Sequence, residues 1–222
     1  YISDEYKHTN NSNVTLDGVE IRNTSQHGIS LEGKTKNWSI INCYVHNTGN
    51  TQHAAGIYVS GTSGFILKES RIDSCYEHGL YFHSGGDVLV SDSYFRYNGQ
   101  SPGGQGISMR ADSNIVISGC KFLYNTGLGL VIYSNRTDFV GRPVRNIVVS
   151  GNTIAYNYGG VKGSGRQDQV LIAKVKSGLF IDNVVGPGIG SEALQNGIRI
   201  IHENKDLTIR ENFIYAKTGI AV

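Results

Sequence analysis

The chain has 222 residues, with 29 glycines, three prolines and three cysteines, and its 20 basic and 18 acidic residues leave a net charge of only +2. That balance argues against nucleic-acid binding by bulk charge. The apolar runs are too short to span a membrane, and three widely spaced cysteines make neither a disulfide framework nor a four-ligand zinc site.

Residues 1–12 read as a lead-in segment. Tyr1 opens the chain in place of a methionine, no signal peptide is visible, and the last strand stops at Val222, so a longer parent protein is expected. From residue 13 onward one pattern repeats. A Gly-apolar-x-apolar tetrad starts at Gly28, Gly56, Gly79, Gly106, Gly129, Gly160, Gly197 and Gly219, at intervals of 28, 23, 27, 23, 31, 37 and 22 residues. Such a period fits one coil of a solenoid. Between tetrads lie apolar-x-apolar strands at 14–16, 38–40, 65–67, 88–90, 115–117, 147–149, 179–181 and 207–209, several of them preceded by Asn or Asp. A two-residue corner leads to a third strand, as at 19–21, 43–45, 120–122 and 212–214. The expected fold is therefore all-β: one elongated solenoid domain over 1–222, about eight coils in 13–222, with three short parallel sheets. Many glycines and few prolines suit its corners.

Stacked coils bring equivalent residues about 4.8 Å apart, so like residues should form ladders. One internal ladder reads Val19, Cys43, Ser70, Ser93, Cys120, Asn152 and Asn212, which accounts for two cysteines as buried small residues. A second reads Thr24, Thr48, Cys75, Asn98, Asn125 and Asn157, with Tyr97, Tyr124 and Tyr156 before the three asparagines. The asparagines suit buried corner bonds. The tyrosines suit stacking on one another, or a sugar platform. On the middle strands the central outward residues are Thr15, Ser39, Ile66, Leu89, Val116, Val148, Phe180 and Thr208. The five apolar ones form a stripe suited to cover by a domain or subunit.

With its Gly-Ile-x-apolar tetrads, its Asn-apolar-x-apolar strands and phrases such as His78-Gly79-Leu80-Tyr81 and Ser150-Gly151-Asn152-Thr153-Ile154, the chain resembles the right-handed parallel β-helix proteins of the pectate-lyase-like superfamily over 13–222. Lyases, epimerases, hydrolases, phage tailspikes and adhesins share that fold. The resemblance implies that the tetrad sheet lines a polysaccharide groove. Loop lengths point to the same face, because insertions at 48–55, 100–105, 134–145, 164–177 and 186–196 flank the tetrads.

The outward side chains of the tetrad sheet would be Ser30 and Glu32, Tyr58 and Ser60, Tyr81 and His83, Ser108 and Arg110, Val131 and Tyr133, Lys162 and Ser164, then Arg199 and Ile201. An acidic polysaccharide would meet aromatic faces and cations there. Cleavage of a uronate polymer by β-elimination needs a neutralised carboxylate, a base and an acid. The assignment is His83 as base, Tyr81 as acid, and Arg110 with Lys162 as carboxylate clamps, with Glu32, His53, Tyr58, Tyr133 and Arg199 as substrate contacts. Ca²⁺ could supply the neutralising charge, although Asp87, Asp112 and Asp138 are dispersed among loops. Alginate epimerases that resemble this fold carry Gly-Phe-Asp-Pro-His, where this chain has Gly79-Leu80-Tyr81-Phe82-His83. No Asp pair lies on the strip, against a hydrolase. His27 and His78 read as corner residues. The functional expectation is an extracellular polysaccharide lyase or epimerase; the alternative is a noncatalytic glycan-binding, adhesin or tailspike-like β-helix.

Overall fold

The computed structural model describes residues 11–51, 53–100, 103–134, 143–158, 167–188 and 195–222. All of its regular elements are strands, and every pairing between them is parallel. The first sheet stacks the tetrad strands Ile29–Glu32, Ile57–Lys68, Leu80–Ser91, Ile107–Met109, Leu130–Tyr133, Gln167–Ala173, Gln195–Ile201 and Thr218–Ala221. The second runs from Ser12–Asp17 through Lys36–Ile41, Ser113–Ser118, Val144–Ser150 and Val175–Ile181 to Lys205–Arg210; Ile57–Lys68 and Leu80–Ser91 bend from the first sheet into it. The third, from Glu20–Arg22 to Phe213–Ile214, is 8-stranded. Windings are counted from layer to layer, so the solenoid makes about seven turns where eight tetrads suggest eight coils.

Corners explain why these residues wind. Between the second and third sheets every coil places one residue in the left-handed region: Gly18, Asn42, Glu69, Asp92, Gly119, Gly151, Asp182 and Glu211, with φ from 50 to 65°. At the start of the second sheet Asn13, Asn37, Asp87, Asn114 and Asn146 do the same, the conformation that Asn and Asp tolerate best among residues bearing a Cβ. Their side chains also bond from coil to coil, Asn37 Nδ2 to Asn13 Oδ1 at 2.9 Å and Asn146 Nδ2 to Asn114 Oδ1 at 3.0 Å.

Inside, both expected ladders are present. Cys43 N–H donates to Ser70 Oγ, Cys120 N–H to Asn152 Oδ1 and Asn152 N–H to Asn183 Oδ1. All three cysteines are buried, and burial pushes the Cys75 and Cys120 thiols up to about 12, which removes them as nucleophiles at neutral pH. The rings of Tyr97, Tyr124 and Tyr156 stack at 5.3 and 5.5 Å, nearly parallel. Ring faces that cover one another are closed to a sugar between them, so this ladder is a packing device.

Two expectations need correction. Phe180 is not on the outer stripe but in the core, 1% exposed, and Leu179 takes its outward place, paired with Val148 and Thr208. The cause is Asn183, whose side chain accepts from Asn152 N–H and donates to Val149 O, fixing the inward residues at 178 and 180. The outer stripe is therefore Ile66, Leu89, Val116, Val148 and Leu179. The second correction concerns the sixth tetrad. The slot between Leu130–Tyr133 and Gln195–Ile201 is filled by Gln167–Ala173, with Val170, Leu171 and Ile172 in register with Leu130, Val131 and Ile132. Gln169 stands at the glycine position, its side chain turned inward to end the asparagine ladder: Oε1 accepts from Asn157 N–H and Nδ2, and Nε2 donates to Asn157 O. The tetrad at Gly160, and Lys162 with it, lies outside the described residues.

Candidate functional site

Each tetrad strand turns two side chains outward, and stacking aligns them in two rows. The first row reads Ser30, Tyr58, Tyr81, Ser108, Val131, Leu171 and Arg199. Glu32, Ser60, Arg110, Tyr133, Ala173 and Ile201 belong to the second, with His83 beside Arg110.

His83 owes its place to a paired irregularity. Val59 faces Phe82, but Ser60 faces Ser84 and Thr62 faces Gly85, so His83 is an extra residue on its strand and Gly61 restores the register. Gly61 N–H donates to Ser84 Oγ at 3.0 Å, closing the bulge. Bulges re-aim side chains. Here the device takes one histidine out of the ladder, beside Arg110 of the next coil.

Around it the aromatic and cationic residues converge. The Tyr81 and His83 rings are edge to face at 5.9 Å, and Tyr58 meets Tyr81 at 5.5 Å. The Arg110 guanidinium lies 4.9 Å from the Tyr81 ring centre and 4.4 Å from that of Tyr133, held between the two rings. Ser108 and Val131 face outward at this level yet are only 1% and 2% exposed. Burial first, and Arg110 second, hold the His83 imidazole below its usual 6.5, so it is a neutral base at pH 7. Burial also raises the Tyr81 phenol above 10.0, against the opposing pull of Arg110, so it keeps its proton. A base, an acid and a cation thus adjoin on two consecutive coils.

The remaining candidates are placed as follows. His53 sits on the flank, where its backbone N–H donates to the Glu77 carboxylate and its Nδ1 is 3.6 Å from Glu77 Oε2. Glu32 lies two layers from Tyr81 and accepts from Ser30 Oγ at 3.0 Å. Arg199 does not join the cluster: it reaches back to buried Asp168 at 3.5 Å, which also accepts from Asn196 Nδ2 at 2.6 Å. Among the described residues no three His, Cys, Asp or Glu side chains gather as metal ligands. The donor set there does not fit a resident Ca²⁺, and no step below is routed through one.

His27 and His78 are corner residues that also shape the strip. Each accepts a backbone N–H from the next coil at Nδ1, from Ala55 at 3.0 Å and from Gln105 at 3.2 Å. His27 stacks on Tyr58 at 4.7 Å, and His78 packs edge-on against Tyr81 at 5.2 Å. Burial, then the positive charge of Arg110, pushes His78 down to about 3, so its 3.6 Å approach to Glu77 is that of a neutral ring, not an ion pair. An unfolded His78 takes up a proton near 6.5 that the folded ring refuses, so stability falls as pH drops from 6.5 toward 3. The expected loss from this group is roughly 1.4 kcal/mol per pH unit in that window. Urea unfolding at pH 6.5 and 5 should show it, and His78→Gln should flatten the difference by about 2 kcal/mol. Equal slopes in both proteins would contradict the assignment.

A model described as the right handed beta helix region matches residues 8–222. The chain belongs to the right-handed β-helix family. Among solved structures this β-helix is similar to the Streptococcus pneumoniae surface protein and adhesin PfbA, with 14% identity and a TM-score of 0.67 over 95% of this chain and 66% of that one. A second structure of that surface adhesin gives 15% identity and 0.64 over 95% and 58%. Pectate lyase Pel9A gives 15% identity and 0.55 over 90% of this chain and 48% of that one. These likenesses show the fold. The chain spans less than two thirds of each of those proteins. No curated protein sequence matches it.

Two of three further features of the β-helix site escape sequence reading. The bulge at His83 depends on a neighbour's register, and the Asp168 tie on Arg199 depends on which residues form layer six. Only the bond between His78 and the next coil left a trace, the histidine before Gly79.

Proposed function

We propose that the strip binds an acidic, uronate-containing polysaccharide outside the cell and cleaves it by β-elimination. The observation that carries this reading is the Arg110 guanidinium held between the Tyr81 and Tyr133 rings beside a neutral His83. Packed against the two rings, the guanidinium can pair with a carboxylate through its N–H groups. Charge pairing there acidifies the adjacent C5–H and stabilises the carbanion. His83 removes the C5 proton, the electron pair forms the C4–C5 double bond, the C4–O bond breaks, and the Tyr81 hydroxyl protonates the departing oxygen. Solvent then resets both groups.

The test is the unsaturated product, which absorbs in the ultraviolet, from polygalacturonate, alginate and glucuronate-containing polymers. Replacing His83 by Ala should lower turnover about 10²–10⁴-fold. Arg110→Ala should do the same by removing charge neutralisation. Because the base titrates below 6.5 and the acid above 10.0, kcat/KM should form a broad plateau with its acid limb below 6.5 and its alkaline limb above 10.0. Undiminished turnover in both variants would refute the assignment.

A second reading has its own support: a stacked guanidinium is as well suited to holding an acidic sugar as to reacting with it, and two of the similar structures are of a surface adhesin. Tight binding that requires Arg110 but yields no unsaturated ends with any of these polymers would select this noncatalytic function.

A further inference from the structure

We infer that the strip accommodates a segment of about four sugar rings, closed at its N-terminal end by the Glu32 carboxylate; this rests on the acidic-polysaccharide reading above. The chemistry suited to a uronate begins with Tyr58 in layer two, continues through Tyr81 and His83 in layer three and Arg110 in layer four, and ends with Tyr133 in layer five. Those four layers span about 14 Å, and a pyranose in an extended polymer advances by roughly one strand spacing. Both ends of this run change character.

In layer one the outward pair is Ser30 and Glu32, half-buried and joined by a hydrogen bond of 3.0 Å. No cation among the described residues forms an ion pair with Glu32. A uronate carboxylate carried into that layer meets a fixed negative charge in a half-buried setting, where repulsion is poorly screened. In layer six the outward residues are Leu171 and Ala173, the latter 4% exposed, which offer a sugar hydroxyl no partner. Arg199, the next outward cation among the described residues, is engaged by Asp168. Among the described residues an acidic chain therefore gains contacts over four layers and none beyond them, and past Tyr58 it is repelled.

Calorimetry with oligogalacturonates and oligomannuronates of two to eight rings tests this, using the His83→Ala protein to prevent turnover. The dissociation constant should fall with each ring up to four and change less than about twofold from four to eight. Glu32→Gln, nearly isosteric, should tighten the eight-ring oligomer about 3–10-fold, more at low salt, and leave the two-ring ligand unchanged. Affinity that keeps rising through eight rings, or an eight-ring affinity indifferent to Glu32→Gln, overturns the end-stop and leaves the polysaccharide reading intact. Four-ring binding that survives Arg110→Ala, or no binding at any length, overturns that reading and this inference with it.

Discussion

Gly106→Ala should destabilise the protein by about 3 kcal/mol or more and lower Tm by roughly 6–12 °C. The reason is contact, since Gly106 has an ordinary φ. A Cβ there would stand 2.5 Å from Gly129 O, 2.9 Å from Phe122 Cδ1 and 3.2 Å from Asn125 Nδ2. The first of these is backbone, tied into the stack by the bond from Ile107 N–H to Gly129 O, so it cannot step aside without parting two coils. The same approach recurs along the row: 2.6 Å at Gly28, 2.8 Å at Gly56 and 2.7 Å at Gly79, each against the carbonyl of the next glycine. Gly219 is the internal control. It occupies the equivalent place in the last layer, nothing lies within 4 Å of its added Cβ, and Gly219→Ala should change Tm by no more than a degree or so. Thermal unfolding of the two variants side by side checks this; equal effects would mean that the glycine row marks corners and not close packing.

Asn125→Leu should cost about 3–6 kcal/mol, the sum of several buried polar groups left without partners. Asn125 is 0% exposed. Its Oδ1 accepts from Asn98 N–H at 3.1 Å and Asn98 Nδ2 at 3.0 Å, and its Nδ2 donates to Phe95 O at 3.0 Å and Asn157 Oδ1 at 2.8 Å. Leucine matches the volume and none of the bonds. Threonine, which fills this ladder position as Thr48, keeps one hydroxyl and should cost about half as much. Hydrogen exchange gives the local readout: the Asn98 amide loses its acceptor and should exchange far faster, while amides in the last coils should be unaffected. Unchanged protection at Asn98 would show that the ladder is incidental.

How much of this was legible in the sequence follows from what each signal depends on. The winding was legible because a carbonyl-to-Cα approach admits only glycine, and that constraint repeats at Gly28, Gly56, Gly79, Gly106 and Gly197. The ladders were legible because stacking turns a position in the coil into a column. The seventh coil misled because Gly178-Leu179-Phe180-Ile181 fits two frames, one with Leu179 and Ile181 inward and one with Phe180 inward. Hydrophobicity alone favours the first. Asn183 decides for the second, since its bonds to Asn152 and Asn212 fix the frame. The sixth coil misled for a related reason: a glycine search finds Gly160, whereas the stack uses Gln169, which can stand there because its side chain completes a ladder.

The site was half legible. Tyr81, Arg110 and Tyr133 come together because alternation and coil length fix the outward rows, and both are sequence properties; the bulge that sets His83 beside them is not. Electrostatic state was not legible. That His83 is depressed by burial and Arg110, and that Arg199 is tied to Asp168, depends on side-chain placement in neighbouring coils.

The most direct test of the central claim, that residues 27 apart in the chain act as one site because the coils stack, is an NMR titration of the His83 ring in the wild-type and Arg110→Ala proteins. His83 should titrate below 6.5 in the wild type, move up when Arg110 is removed, and shift again when an oligouronate binds the wild type. A His83 that titrates as a free imidazole and responds to neither change would contradict the account.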